Sequence, residues 1–206
     1  VGGDVLGTWR GADQSLHGTG MFAIGSEARG LLIGGSLRSG QELESAAAPD
    51  SLDLRDYERR SGLVKFVADD RRGNTWRLGY IHQDSSVLSD LNSMLGTGRY
   101  RTTSALEGDD EYTMDLLNAA YEFGSPESWI DGGFIRAFYE TTDISQKTLD
   151  ERALSPTPTS IDRYFSFEQD IRGAELNLQK SFDFDRVGHK LGFGIEYRER
   201  DTTEYR

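Results

Sequence analysis

Three histidines, a pair of glutamates, an arginine–tyrosine–arginine run and a string of acids are the side chains through which this chain could do chemistry. Imidazole is a common transition-metal ligand and holds haem iron in many proteins. His17 lies in "SLHGTGMF". In an extended chain, alternate residues share a face. His17 then stands with Thr19, Met21 and Ala23, opposite Phe22 and Ile24, and is the best-placed candidate ligand. His82 shares parity with Trp76, Leu78 and Tyr80, and His189 shares it with Leu191 and Phe193. Both are expected on the apolar side. The three are not spaced as a metal cluster, so no metal site is expected.

The stretch "GTGRYRTT" offers Arg99, Tyr100 and Arg101. Guanidinium groups form charge-assisted bonds to anions, and a tyrosine adds stacking or a phenolic contact. The plainer expectation is a solvated loop whose arginines pair with Glu107, Asp109, Asp110 and Glu111. That acidic run, "EGDDE", lacks the ligand spacing of a calcium loop. Glu175 and Glu196 fall on consecutive strands and raise the question of paired carboxylates for acid–base work; a wall of mixed charge explains them better. No serine–histidine–aspartate set has positional support. The glycines of "GTGMFAIG" (18–25) open no helix and so form no dinucleotide loop. No catalytic residue and no intrinsic cofactor is expected, and the chain is not read as an enzyme.

These residues need elements to hold them. The 206 residues carry a net charge of −12, which disfavours nucleic acid and anionic lipid headgroups as partners. The absence of cysteine removes disulfides, thiolate metal sites and cysteine nucleophiles. Mean hydropathy is −0.59, and no apolar run approaches the ~20 residues of a membrane helix. Alternating strands dilute hydropathy and remain compatible with a membrane barrel. The start, "VGGDVLGTWRG", has no basic run leading into an apolar one, and the end, "RDTTEYR", still reads as strand. Both ends are expected to be internal to something longer.

Period-two segments occur near 1–10, 16–25, 29–39, 59–69, 75–85, 111–123, 128–142, 161–181 and 189–203. Short helices are expected only within loops, at 86–95 and 147–154. The links between strands alternate short and long, the short opening link "GADQS" excepted. In an antiparallel meander, alternate links fall on opposite rims. The long ones at 40–58, 86–110 and 143–160 therefore share a rim, as the outer loops of a membrane barrel do. The expected fold is all-β: an antiparallel transmembrane barrel wall of about nine strands. Aromatics near the strand ends (Trp9, Trp76, Phe123, Trp129, Tyr139, Tyr197) suit interfacial girdles. Arg38, Lys65, Arg77, Asp115, Glu175, Glu196 and Arg198 are expected to line the polar lumen. A passive porin and a soluble β-sandwich binding module are the alternatives.

"GSEARGLLIGGSLRSGQELES" resembles the early barrel of TonB-dependent outer-membrane receptors. "SGLVKFVADDRRGNTWRLGYIHQDS" looks like the next hairpin and "HKLGFGIEYRERDTTEYR" like a later strand of the same wall. The nearest flavour is the group that takes up haem, haemoglobin or transferrin iron. The likeness is one of strand and turn pattern and involves no fingerprint motif. It implies a 22-stranded barrel in the outer membrane of a Gram-negative bacterium, closed by a plug. It also implies import of haem or a ferric siderophore driven by a TonB-type energy-coupling protein, with barrel-assembly machinery inserting the chain. The sequence departs from that pattern in showing no plug, no TonB-box-like segment and too few strands for the full wall. The resemblance therefore implies that the plug domain and the remaining barrel strands are partners outside this chain.

Overall fold

The computed structural model describes residues 1–42, 53–70, 72–124, 129–184 and 187–206. Nine strands follow one another: β1 (Gly2–Arg10), β2 (Ser15–Gly25), β3 (Arg29–Gly40), β4 (Leu54–Asp69), β5 (Thr75–Asp90), β6 (Ala105–Gly124), β7 (Gly132–Arg152), β8 (Thr159–Phe184) and β9 (Val187–Tyr205). They form one antiparallel sheet in chain order, β1 to β9, and the sheet is not closed. Among the described residues, β1 pairs with β2 alone, and β9 with β8 alone. Short 3₁₀ turns interrupt two links, at Gly11–Asp13 and at Asn92–Met94 with Gly98–Tyr100. Among the described residues there is no α-helix.

Every pair holds a single register over its whole length. Directly opposed residues share a face, so parity carries across all nine strands. One face holds Val5 and Trp9, then Phe22 and Ile24, Leu31 and Ile33, Val64 and Phe66, Trp76 and Leu78. It continues through Leu117 and Tyr121, Ile135 and Tyr139, Leu176 and Leu178, and Leu191, Phe193 and Ile195. Neighbours on this face touch, as the Trp76 and Tyr121 rings do at 4.4 Å, but among the described residues no second layer covers them. Leu117 is 55% exposed and Ile195 59%. The buried apolar residues among those described are Tyr100 and Leu106 alone, so the apolar face does not enclose a core.

The strands lengthen from 9 residues in β1 to 26 in β8. The extra length lies at one rim, where β3–β4, β5–β6 and β7–β8 are joined. There the structure departs from the expected loops. β7 continues to Arg152 and β8 begins at Thr159, so the link expected at 143–160 is mostly strand. The helix expected at 147–154 is absent. β5 runs on to Asp90, and the helix expected at 86–95 is reduced to the 3₁₀ turn at Asn92–Met94. The apolar residues of these extensions, Val87 and Leu88 and then Ile144 and Leu149, fall on both parities, so no alternation marks them; the neighbouring ladder holds them in place. Residues 43–52, inside the expected loop 40–58, lie outside the described residues.

The opposite rim is tight. In the link from β4 to β5, the Asp70 carboxylate accepts from the backbone N–H of Arg72 and Asn74 and from the Asn74 side chain, at 2.6, 3.0 and 2.7 Å. Those bonds, led by the Asn74 side chain, hold Asp70 below its ordinary pKa. Gly73 takes a left-handed φ of +80°, which glycine adopts without the Cβ clash.

Glycine also serves within the wall. Phe138 lies directly across from Gly173, and its ring covers the glycine. A Cβ there would stand 2.5 Å from the ring and 2.7 Å from the Tyr197 carbonyl oxygen. Gly173→Val is expected to destabilise the wall by about 1–3 kcal/mol through overpacking. A lower midpoint of thermal unfolding, followed by the loss of β-sheet circular dichroism, would register it.

Candidate functional site

The polar face is built from the other parity. Along one row of opposed residues stand Thr8, His17, Arg38, Arg59, Ser85 and Tyr112. The next row holds Ser36, Ser61 and Gln83. All of these but Thr8 line a groove of about 470 Å³, together with Arg60 and Asp84. The Ser36 and Ser61 hydroxyls hydrogen-bond to each other at 2.8 Å across the floor.

A buried aspartate holds Arg38, a wall of the groove, at the long-stranded rim. Asp13 Oδ1 accepts from the Ser15 hydroxyl at 2.7 Å and from the Ser15 N–H at 3.4 Å. Its Oδ2 accepts from Arg38 Nη2 and the Tyr57 hydroxyl, each at 3.1 Å. The Ser15 hydroxyl, with Tyr57 adding, holds Asp13 below the usual carboxylate range against the opposing effect of burial. The Tyr57 ring takes the Arg38 guanidinium 5.6 Å and the Arg59 guanidinium 5.8 Å from its centre. Two cations thus share one aromatic ring.

A second buried aspartate organises the same rim farther along. Asp150 is 0% exposed. It accepts from the Thr103 hydroxyl at 2.7 Å, from Arg152 Nη2 at 2.9 Å and from Arg163 Nη2 at 3.1 Å. Arg152, then Thr103 and Arg163, lower its pKa to about 2 against the effect of burial. This clamp ties the link 91–104 to β7 and β8. Backbone bonds from Ser104 to Glu151 and from Leu154 to Thr102 join it.

The candidate residues distribute as follows. His17 and Arg38 meet in the groove. Lys65 and Arg77 lie on the same face nearer the tight rim, where Arg77 holds Glu122 through two bonds of 2.7 and 3.0 Å. Glu175 and Glu196 are direct register partners, and each has its own arginine: Arg136 on Glu175 at 2.7 Å, Arg198 on Glu196 at 2.8 Å. The arrangement is a mixed-charge ladder, with both carboxylates engaged by cations.

Asp115 is a correction. It sits opposite His82, on the parity of Leu117 and Tyr80, and so belongs to the apolar face rather than the polar wall. There it accepts from the Tyr80 hydroxyl at 2.5 Å and lies 2.8 Å from His82 Nδ1. Tyr139 and Tyr197 donate in the same way to Asp170 and Glu199, at 3.1 and 3.0 Å. These carboxylates mark the border where the apolar band gives way to polar residues.

Tyr100 is buried. Arg99 folds onto it, donating to its hydroxyl with the guanidinium 4.6 Å from the ring centre. The pair anchors the link, whereas Arg101 is exposed. Of the acidic run, Asp109 pairs with Lys147 at 3.6 Å. Arg59 and the two buried aspartates escaped the sequence reading. Arg59 shares parity with Lys65 and was legible; Asp150 lies in a segment read as loop. Among the described residues no group of histidines and carboxylates could hold a metal.

Asp150→Asn is expected to free the link 91–104, with tryptic cleavage at Arg99 and Arg101 at least ~5-fold faster than in the parent protein. The same clamp gives a pH signature. The folded pKa is about 2 against an ordinary 3.8, so the carboxylate stabilises the rim fully above about pH 4 and loses that contribution as pH falls through about 2. Hydrogen exchange of Thr103 and Ser104 is expected to quicken over that window and to be flat across it in Asp150→Asn.

No protein-family model matches the chain, and no curated protein matches it.

Proposed function

We propose that the chain is part of the wall of a transmembrane β-barrel, and that the barrel is a plugged outer-membrane receptor that imports a scarce ligand. The observation that carries the barrel reading is the exposed apolar face. About twenty large apolar side chains stand on it, far beyond the few hundred Å² a soluble monomer ordinarily exposes. Hydrocarbon is the solvent that fits such a surface.

The shape of the band adds a second support. On β2 and β3 the apolar residues are centred on the strands: Leu16–Ile24 and Leu31–Leu37. On β8 and β9 they lie toward the tight rim: Ala174–Phe182 and Val187–Tyr197. Measured along the rows of opposed residues, the band's centre slides by about nine residues, or about 30 Å, from β2 to β9, across seven strand spacings totalling about 34 Å. A band of fixed depth crossed by strands tilted about 40° gives that slide, and membrane barrels tilt their strands by ~35–45°. Tyr80, Tyr139 and Tyr197 stand at its polar border, where interfacial aromatics belong. The open edges of β1 and β9 would need further strands, since hydrocarbon leaves no partner for an unpaired edge.

The polar face favours a plugged barrel over an open pore. Leu116, which breaks the alternation of its strand, is opposed by Ile81, and Ile81 by Leu63. An apolar patch on a water-filled lumen has no partner, whereas a protein plug supplies one. Resemblance to TonB-dependent receptors supports energy-coupled uptake, with a periplasmic coupling protein and haem or a ferric siderophore as the class of cargo.

Cysteine substitutions test the faces in a protein that has no cysteine here. In outer membranes, Ser61→Cys and Gln83→Cys are expected to react with a membrane-impermeant maleimide once the plug is displaced by denaturant that leaves the barrel folded. Leu78→Cys and Ile135→Cys are expected to stay unlabelled. The reverse pattern overturns the assignment. External protease should cut within 91–104 and 153–158 and spare 143–152. Ion conductance of the untreated full-length protein, comparable to an open porin's, would replace the plugged receptor with a passive pore.

A further inference from the structure

We propose that Arg38 and Arg59 form a binding site for a small polyanion on the polar face, with His17 at its side. The proposal rests on the reading of this face as a hydrated lumen and names the class of ligand that the groove takes.

Arg38 and Arg59 are direct register partners, and His17 is the partner of Arg38 on its other side. Opposed Cα atoms in such a ladder lie ~4.5–5.5 Å apart. Like charges placed so close destabilise a sheet unless something neutralises them. Asp13 answers one of the two charges, and its bonds are already committed. Its Oδ1 is held by Ser15, and its Oδ2 by Arg38 Nη2 and Tyr57. Arg59 has no ion pair among the described residues. Arg38 Nε is buried and has no hydrogen-bond partner, an arrangement that buried donors rarely tolerate.

One uncompensated positive charge and several N–H donors therefore converge beside a groove of about 470 Å³. That is the size of a small-ligand pocket. The groove's other walls are neutral donors and acceptors: Ser36, Ser61, Gln83, Ser85 and Tyr112. Its one acid, Asp84, stands on the opposite parity, opposed to Arg60. The shared Tyr57 ring fixes both guanidiniums before a ligand arrives, which lowers the ordering cost of binding. Planar guanidiniums suit carboxylates and phosphates alike. The chemistry that fits is a compact molecule with two or more anionic oxygens, free or as the groups around a chelated metal.

The test is equilibrium titration of the full-length protein in detergent with citrate, and separately with inorganic phosphate, at low ionic strength. Saturable binding is expected, weakened at least ~10-fold by Arg59→Gln and less by Arg59→Lys. Lys65→Gln, six residues and about 20 Å away along the same strand, is expected to bind as the parent does. Arg59 makes no ion pair among the described residues, so its variant should fold; an unshifted heat-modifiable band checks this. Tighter binding of citrate assigns a carboxylate ligand, and tighter binding of phosphate a phosphate ligand. No saturable binding of either anion, or equal binding by Arg59→Gln and the parent, overturns the site. If Gln83→Cys labels and Leu78→Cys does not while both titrations fail, the anion site alone is wrong. If the labelling reverses, the lumen reading falls with it.

Discussion

Backbone pairing is the constraint on which the whole molecule depends. Each of the eight strand pairs exchanges hydrogen bonds in one register from end to end. Side chains contribute little enclosed packing, since only Tyr100 and Leu106 are buried apolar residues among those described. The sheet is therefore a scaffold of ladders with two dissimilar surfaces. Because period two is rigid, a slip of one residue in any pair would exchange those surfaces from that strand onward. The fixed register is what keeps His17, Arg38 and Arg59 side by side and keeps Phe22, Ile33 and Val64 away from them.

The two surfaces obey different rules. On the apolar one, tyrosine hydroxyls meet carboxylates at one border, and toward the tight rim Lys180 and His189 stand among Phe182 and Leu191. On the polar one, cations and anions pair across and along strands, as Arg77 does with Glu122 and Arg136 with Glu175. Arg38 and Arg59 break that rule of balance, as does the apolar row through Leu63, Ile81 and Leu116. Departures from a local rule concentrate where a surface meets something else. Here they mark the two places on the wall at which we put a ligand and a plug.

Much of this was legible in the sequence wherever one side of a strand was apolar. The alternation of Trp76, Leu78 and Tyr80 located β5 and set its facing, and "HKLGFGIEYRER" did the same for β9. Legibility ended where apolar residues fell on both parities or were too few to set a period. The residues from Asp84 to Asp90 and from Asp143 to Arg152 carry no period, and their extended form comes from the neighbouring strands they pair with. Asp115 was misplaced for a different reason. Its charge suggested the polar wall, while its position, two residues before Leu117, put it on the other. The aspartate clamps could not be read at all, because Asp13 and Asp150 draw partners from segments up to 47 residues away.

The unbroken register has a consequence for how such a wall can change size. With no bulge in any described pair, a hairpin of two strands is a self-contained module that enters and leaves on the same rim. Adding or deleting one preserves inside and outside for everything downstream. Loss of a lone strand would turn every later residue over. Growth of this architecture by gene duplication is thus confined to steps of two.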